Sequence, residues 1–170
     1  MNPTLPTISK SLIIAVAALS LFGSPNAARA QDRSPVIDFS TADPDMKAAI
    51  EKGRATLPTF WASYDAPKSS ETGHSLKVRF PSSKARGGEH IWIANVKKSP
   101  DGRYSGKFGN TPRDLPGKKA GDPTEFAEAD ITDWMFMRNG KIVGGETIRP
   151  LLKSMPKADA DAMRARMETP

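Results

Sequence analysis

Apolar side chains recur at spacings of three and four residues between residues 43 and 65, which is the period of an α-helix. Asp43 and Pro44 suit the N-cap and the first helical position. Pro58 lacks a backbone donor, so its place inside the pattern predicts a kink or two abutting helices. The apolar stripe is typical of a core-facing surface, and it consists of Met46, Ile50, Gly53, Leu57, Phe60 or Trp61, and Tyr64.

Beyond a polar loop expected over residues 65–75, apolar and polar positions alternate, which predicts β-strands. Residues 76–80 have the pattern of a half-buried strand. Residues 89–96 are apolar on both faces, which is typical of a central strand. They are expected to form a hairpin with residues 104–108 around the turn sequence Ser99-Pro-Asp-Gly102.

A second hairpin is predicted where residues 134–137 and 141–143 flank Asn139-Gly140, because Asn-Gly fits a type I′ turn. Gly144-Gly145 indicates a bulge or a close backbone approach just after it. A long loop over residues 110–123 precedes a short expected strand around residues 124–127, and loops of this length are often functional.

Together these elements predict an α+β domain over residues 43–153. An N-terminal amphipathic helix would pack on a bent antiparallel sheet of about five strands. A partly closed small barrel is an alternative arrangement of the same strands. Residues 154–170 are expected to form a C-terminal helical tail, with a short helix over residues 158–167.

The first 30 residues have the organisation of a secretory signal peptide. Lys10 precedes an apolar run over residues 12–22, and Ala28-Arg-Ala30 matches the small-x-small cleavage pattern. Because the run is shorter than the roughly 20 residues that span a membrane, we expect cleavage rather than anchoring. The mature chain would begin at Gln31 with a flexible lead-in over residues 31–42. The protein would be periplasmic or secreted, without stable membrane insertion.

The composition limits the possible covalent modifications and shows an uneven distribution of charge. The chain has no cysteine, which excludes disulfides and a lipid-modified cysteine. Its formal net charge is +6, and residues 76–120 hold 11 basic and 3 acidic side chains, whereas residues 121–137 hold 5 acidic and no basic ones. These are either solvated faces or a basic surface for an anionic partner, such as an envelope polymer or an acidic protein. A nucleic-acid partner is not expected outside the cytoplasm.

Five short motifs follow one another along the chain. They are Glu89-His-Ile-Trp92, Tyr104-Ser-Gly106, Gly121-Asp122, Ile131-Thr-Asp-Trp134 and Gly144-Gly-Glu-Thr-Ile-Arg149. In combination they resemble the YegJ-like family of small bacterial proteins, which carries a domain of unknown function. The resemblance covers roughly residues 46–152 and implies a small α+β domain. It implies no catalytic residues.

His90 carries the most suggestive chemistry. A zinc site needs three or four ligands, and the chain has only two histidines and no cysteine, so we predict no metal and no other cofactor. A His-based hydrolase would need a nucleophile and an orienting acid, for which Ser105, Thr132 and Asp133 exist without a nucleophile-elbow motif. We favour a structural His90 at a sheet edge, bonded to backbone or a carboxylate.

Asp133 and Arg149 flank the second hairpin, so they are expected to lie close together. Either they form an internal ion pair, which we favour, or they hold a ligand. Trp134 is either a core residue or a binding platform. The candidate binding residues are therefore His90, Trp92, Asp133, Trp134 and Arg149.

Two function classes follow. The first is an exported, non-catalytic binding or interaction module of the cell envelope, using a cleft between the long loop and the Trp134 hairpin. The second is an envelope hydrolase built on His90 and Asp133. We favour the binding module over an enzyme because the sequence contains no catalytic signature.

Overall fold

Two short helices open the part of the chain that the computed structural model describes, which is residues 43–82 and 87–169. Helix α1 spans Pro44–Ala55 and helix α2 spans Leu57–Asp65. Asp43 caps α1 by accepting hydrogen bonds from two backbone N–H groups of its first turn. Pro58 lies in the first turn of α2, where no intrahelical partner is needed. The prediction of two abutting helices is confirmed.

Six strands follow and form one antiparallel sheet in the order β4-β3-β2-β1-β5-β6. Strands β4 and β6 lie at opposite edges, so the sheet is open and does not close into the alternative barrel. The α+β class is confirmed, with six strands rather than about five. The strands are β1 Glu71–Phe80, β2 Glu89–Lys98, β3 Tyr104–Phe108, β4 Pro123–Phe126, β5 Ile131–Arg138 and β6 Lys141–Gly144.

Strand β1 begins earlier than predicted, at Glu71 rather than at residue 76. Its pairing with β5 shifts register between Thr72 and Ser75, and Gly73 within that shift has a φ of +67°. The irregular pairing breaks the alternation of apolar side chains, so residues 71–75 have the sequence pattern of a polar loop although they lie in the sheet.

Two hydrophobic clusters hold the layers together. Leu57 and Phe60 of α2 pack on one face of the sheet, which we call the core face, against Leu76, Ile93 and Phe136. The second cluster joins β6 to the C-terminal segment, which comprises helix α3 (Ile148–Leu151), a 3₁₀ turn (Leu152–Ser154) and helix α4 (Lys157–Arg166).

The predicted C-terminal helix is confirmed and is integrated into the domain. Ala160 and Met167 are buried in the second cluster. Met167 forms a parallel bridge with Ile142, and the Glu168 N–H donates to the Ile142 carbonyl at 2.8 Å. The end of the chain thus covers part of the free edge of β6, which would otherwise expose unpaired backbone groups.

The predicted signal peptide, the Gln31 terminus and the lead-in over residues 31–42 lie outside the described residues. Within residues 43–82 and 87–169, none of the helices has the length and apolar character needed to cross a membrane.

Candidate binding site

Alternation along the central strands separates two sets of side chains. Ile91 and Ile93 of β2 are buried in the core, so their neighbours His90 and Trp92 lie on the opposite side, which we call the reverse face. In the strand register, Lys77 of β1 stands between Trp92 of β2 and Asp133 of β5. The structure therefore brings three of the five candidate residues, His90, Trp92 and Asp133, to one face.

Asp133 is fully buried, and both of its oxygens are held by the protein itself. Oδ1 accepts from the backbone N–H groups of Trp134 at 2.8 Å and Glu146 at 3.2 Å. Oδ2 accepts from the N–H and the hydroxyl of Thr147, each at 2.7 Å. Burial raises the pKa of Asp133, while the bonds from Thr147 and Trp134 and the charge of Lys77 act against that shift. Asp133 thus fastens residues 145–147 to β5.

Lys77 connects this carboxylate to Trp92. Its Nζ donates to the Thr147 hydroxyl at 3.0 Å and lies 5.5 Å from the centre of the Trp92 ring. The same hydroxyl donates to Asp133, so a continuous chain runs from the cation to the carboxylate. Burial lowers the pKa of Lys77, and the nearby Asp133 opposes that shift. The cluster holds Lys77 in a fixed position beside the indole.

His90 lies at the end of the same cluster. Its Nδ1 is 3.0 Å from the Thr132 hydroxyl, which donates to the Lys77 carbonyl at 3.2 Å, so Nδ1 carries the proton and donates to Thr132. Nε2 is buried without a hydrogen-bond partner among the described residues. Burial lowers the pKa of His90 to about 4, and the charges of Lys77, Arg79 and Arg54 act in the same direction.

The expectation that His90 is bonded to backbone or a carboxylate is wrong. Strand β2 lies between β1 and β3 in the sheet, but β3 pairs with residues 93–98, so His90 lies beyond the end of that pairing. Its partner is the Thr132 hydroxyl. The reason is a register shift between β1 and β5 next to Lys77, which brings Thr132 within reach of the imidazole.

We expect the domain to lose stability as the pH falls from about 6.5 towards 4. In this window the unfolded chain protonates His90, whereas the folded state keeps it neutral because its pKa is about 4. Since His90 is only partly buried, the loss attributable to it should be about 1–2 kcal/mol. Urea unfolding of wild type and His90→Gln at pH 7 and pH 5 measures it.

The second histidine supplies the control for this measurement. Burial also lowers the pKa of His74, so His74→Gln should flatten the pH dependence to a smaller extent than His90→Gln. If the wild type and His90→Gln lose the same free energy of unfolding between the two pH values, the assignment to His90 is wrong.

A hydrolytic arrangement of His90 and Asp133 is not assembled. His90 bonds Thr132, whereas the oxygens of Asp133 bond Trp134, Glu146 and Thr147. Ser105 lies on β3, and strands β2 and β1 separate it from Asp133 on β5. Within the described ranges, no three His, Asp or Glu side chains are grouped so that they could hold a metal ion.

Of the two alternatives for Trp134, a core residue or a binding platform, the structure shows the core residue. It is 3% exposed, and its Nε1 donates to the Gly53 carbonyl at 3.0 Å and to the Thr56 hydroxyl at 3.1 Å. The ring therefore fastens helix α1 to β5. Because it faces the core, Trp134 does not line the cleft that we expected between the long loop and the second hairpin.

The expected ion pair between Asp133 and Arg149 is also wrong. Among the described residues, Arg149 Nε lies 3.4 Å from a Glu146 carboxylate oxygen, and Nη2 donates to the Glu168 carbonyl at 3.1 Å. The turn into α3 places Arg149 beside Glu146, which Lys52 also contacts at 3.1 Å. The backbone N–H and hydroxyl of Thr147 occupy the place beside Asp133 that the sequence predicts for Arg149.

Sequence reasoning missed Lys77, Thr147 and the role of Glu89. The Glu89 carboxylate accepts from the backbone N–H groups of Arg113 at 2.8 Å and Asp114 at 2.9 Å, and so anchors the long loop. Thr147 and Glu89 were visible in the motifs, whereas Lys77 had the ordinary appearance of a polar position in an alternating strand. Thr147 and Glu89 thus fasten residues 145–147 and the long loop to the sheet.

The fold and this cluster define a small α+β domain whose recognisable residues fasten its loops and helices to a six-stranded sheet. The chain belongs to the bacterial family described as "Uncharacterized protein conserved in bacteria (DUF2314)", whose family model matches residues 43–167. That match extends past residue 152, where we expected the resemblance to end, and includes α4.

Two curated proteins are similar to this chain. "Uncharacterized protein YegJ" of Escherichia coli strain K12 is 39% identical over 79 residues, which are 46% of this chain and 51% of that protein. "Putative ankyrin repeat protein NMB1133/NMB1171" of Neisseria meningitidis serogroup B is 30% identical over 125 residues, which are 69% of this chain and 49% of that protein. The chain thus spans about half the length of these relatives. No solved structure matches.

Proposed function

We propose that this protein is an exported, non-catalytic binding module of the cell envelope, and that its basic segment, residues 76–120, binds an anionic component. The observation that carries this proposal is the distribution of unpaired lysines. Within residues 43–82 and 87–169, four lysines of the basic segment that ends at residue 120 have no ion-pair partner, namely Lys97, Lys107, Lys118 and Lys119, whereas the unpaired lysines outside it, Lys47, Lys68 and Lys141, lie far apart in the sequence.

Unpaired cations in one region create a positive potential that attracts and retains anions. Several basic side chains outside this segment are already engaged. Lys52, Arg138 and Arg149 pair with carboxylates, and Arg54 donates to backbone carbonyls. Glu89, Asp133 and Thr147 of the motifs support a non-catalytic role because their polar groups are engaged in fastening the fold. The alternative hydrolase is supported by no comparable observation.

Export is tested first, on the cells that produce the protein. Intact-mass analysis of the soluble periplasmic fraction should find a chain that begins at Gln31, because the small-x-small pattern ends at Ala30. Full-length protein in the membrane pellet would contradict the proposed location.

Binding is tested by co-sedimentation of the purified mature protein with isolated cell envelopes at low and at physiological ionic strength. The double variant Lys97→Glu/Lys107→Glu should lower the bound fraction at least about tenfold, which corresponds to about 1.4 kcal/mol. The matched control Lys47→Glu/Lys141→Glu makes the same charge change outside the basic segment and should bind as wild type. Equal losses in both variants would show that only net charge matters.

A further inference from the structure

Trp92 has an unusual setting on the reverse face. The ring is half-buried, with the Lys77 ammonium on its β1 side, 5.5 Å from the ring centre. Its neighbour on the β3 side is Gly109, whose N–H donates to the Trp92 carbonyl at 2.7 Å. A Cβ at Gly109 would lie 2.9 Å from that carbonyl oxygen and 3.6 Å from the Trp92 Cβ. The β3 side of the indole is therefore free of a neighbouring side chain from this position.

Two unpaired lysines continue the same row. Lys107 stands opposite Ala94 on the reverse face, and so lies diagonally across the strand pair from Trp92, at about 7–8 Å between backbone positions. Lys97 stands opposite Ser105, one diagonal step further along. Both lysines are exposed and have no ion-pair partner among the described residues. On the adjoining strand β4, the Glu125 carboxylate is paired with Arg103 at 3.1 Å.

We propose that Trp92, Lys97 and Lys107, which we call the Trp92 platform, form a binding site for an acidic polysaccharide. Trp92 would stack on the C–H face of a pyranose ring, and the lysines would contact the carboxylate or phosphate groups of neighbouring sugars. This inference rests on the proposed function, because it names the chemical class of the anionic component.

The platform fits a sugar better than an acidic peptide. Peptides that bind sheets usually add a strand at an open edge, whereas Trp92 lies where β2 pairs with β1 on one side and where its own carbonyl accepts from the Gly109 N–H on the other. The indole face is apolar and electron-rich, which suits the weakly positive C–H groups of a sugar ring. The carboxylate side chains of a peptide offer no comparable flat surface.

The experiment measures binding of the purified mature protein to four probes by tryptophan fluorescence and affinity electrophoresis. The probes are polygalacturonate, a neutral glucan, poly-L-glutamate and oligo-dT. Polygalacturonate should bind at least about tenfold more tightly than the other three, which is about 1.4 kcal/mol. Trp92→Ala and Lys107→Glu should each weaken that binding at least about tenfold, whereas Trp61→Phe and Lys47→Glu should leave it unchanged.

Each outcome decides between the two proposals. The polysaccharide site is wrong if poly-L-glutamate or oligo-dT binds as tightly as polygalacturonate, or if Trp92→Ala and Lys107→Glu bind as wild type. Neither result contradicts the proposed function, which requires only an anionic component. If none of the anionic probes binds and envelopes do not retain the protein, both proposals fail. Should Trp92→Ala not fold, Trp92→Phe combined with Lys107→Glu replaces it, since Phe keeps the packing but presents a smaller ring.

Discussion

Asp133→Ala should reduce the free energy of unfolding by about 3–5 kcal/mol. The substitution leaves the buried N–H groups of Trp134, Glu146 and Thr147 without their acceptor. It also removes the carboxylate that faces the partly buried Lys77, so that an ammonium group remains in the cluster without its counter-charge. Urea unfolding at pH 7 measures the loss.

Two comparisons distinguish the cluster of Lys77, Thr147 and Asp133 from the ion pair between Asp133 and Arg149 that the sequence predicts. Lys77→Met combined with Asp133→Asn should cost less than the sum of the single changes, because the two side chains belong to one hydrogen-bonded chain. Arg149→Met should cost only about 0–1 kcal/mol, since its pair with Glu146 is partly exposed. A loss in Arg149→Met as large as that in Asp133→Ala would mean that Arg149 contributes to the stability of the Asp133 cluster.

After Asp133→Ala, Gly144→Ala should cause the largest loss in the free energy of unfolding among the substitutions proposed here. Gly140→Ala is its matched control. Gly144 and Gly140 have nearly the same positive φ, +78° and +76°, so alanine adds a similar strain of about 1–2 kcal/mol at each. A Cβ on Gly144 would lie 2.5 Å from the Trp134 carbonyl oxygen and 2.6 Å from its ring, whereas none of the surroundings of Gly140 lies within 4 Å.

Overpacking should therefore make Gly144→Ala costlier than Gly140→Ala by about 1–3 kcal/mol. Urea unfolding of the two variants at one pH gives the difference directly. Equal losses would mean that β6 moves away from Trp134 without cost, and that the Gly144 contact does not hold the hairpin to the core.

These two predictions fall on motifs that carry the family resemblance, and they give those motifs a physical meaning. Asp133 holds Thr147 against β5 by accepting its N–H hydrogen bond. The Trp134 Nε1 donates to the Gly53 carbonyl and so fastens β5 to α1. Gly144 permits the backbone to pass over the indole. The proposed Trp92 platform takes one residue, Trp92, from these motifs and combines it with the exposed Lys97 and Lys107.

Local interactions explain what the sequence by itself determined. The break between α1 and α2 follows from the missing N–H of Pro58, and the start of α1 follows from the cap at Asp43. The second hairpin follows from Asn139 and Gly140, which adopt φ of +50° and +76° as a type I′ turn requires. Each feature depends on a few neighbouring residues, so it is visible without the fold.

Only the tertiary structure decided which polar groups meet. Lys77, His90 and Asp133 lie on three different strands, and their contacts depend on the strand order and on a register shift between β1 and β5. The same shift accounts for the position of Thr132, while the turn into α3 gives Thr147 the place expected for Arg149. A shift of one residue in pairing moves side chains between faces, and alternation within one strand contains no information on that shift.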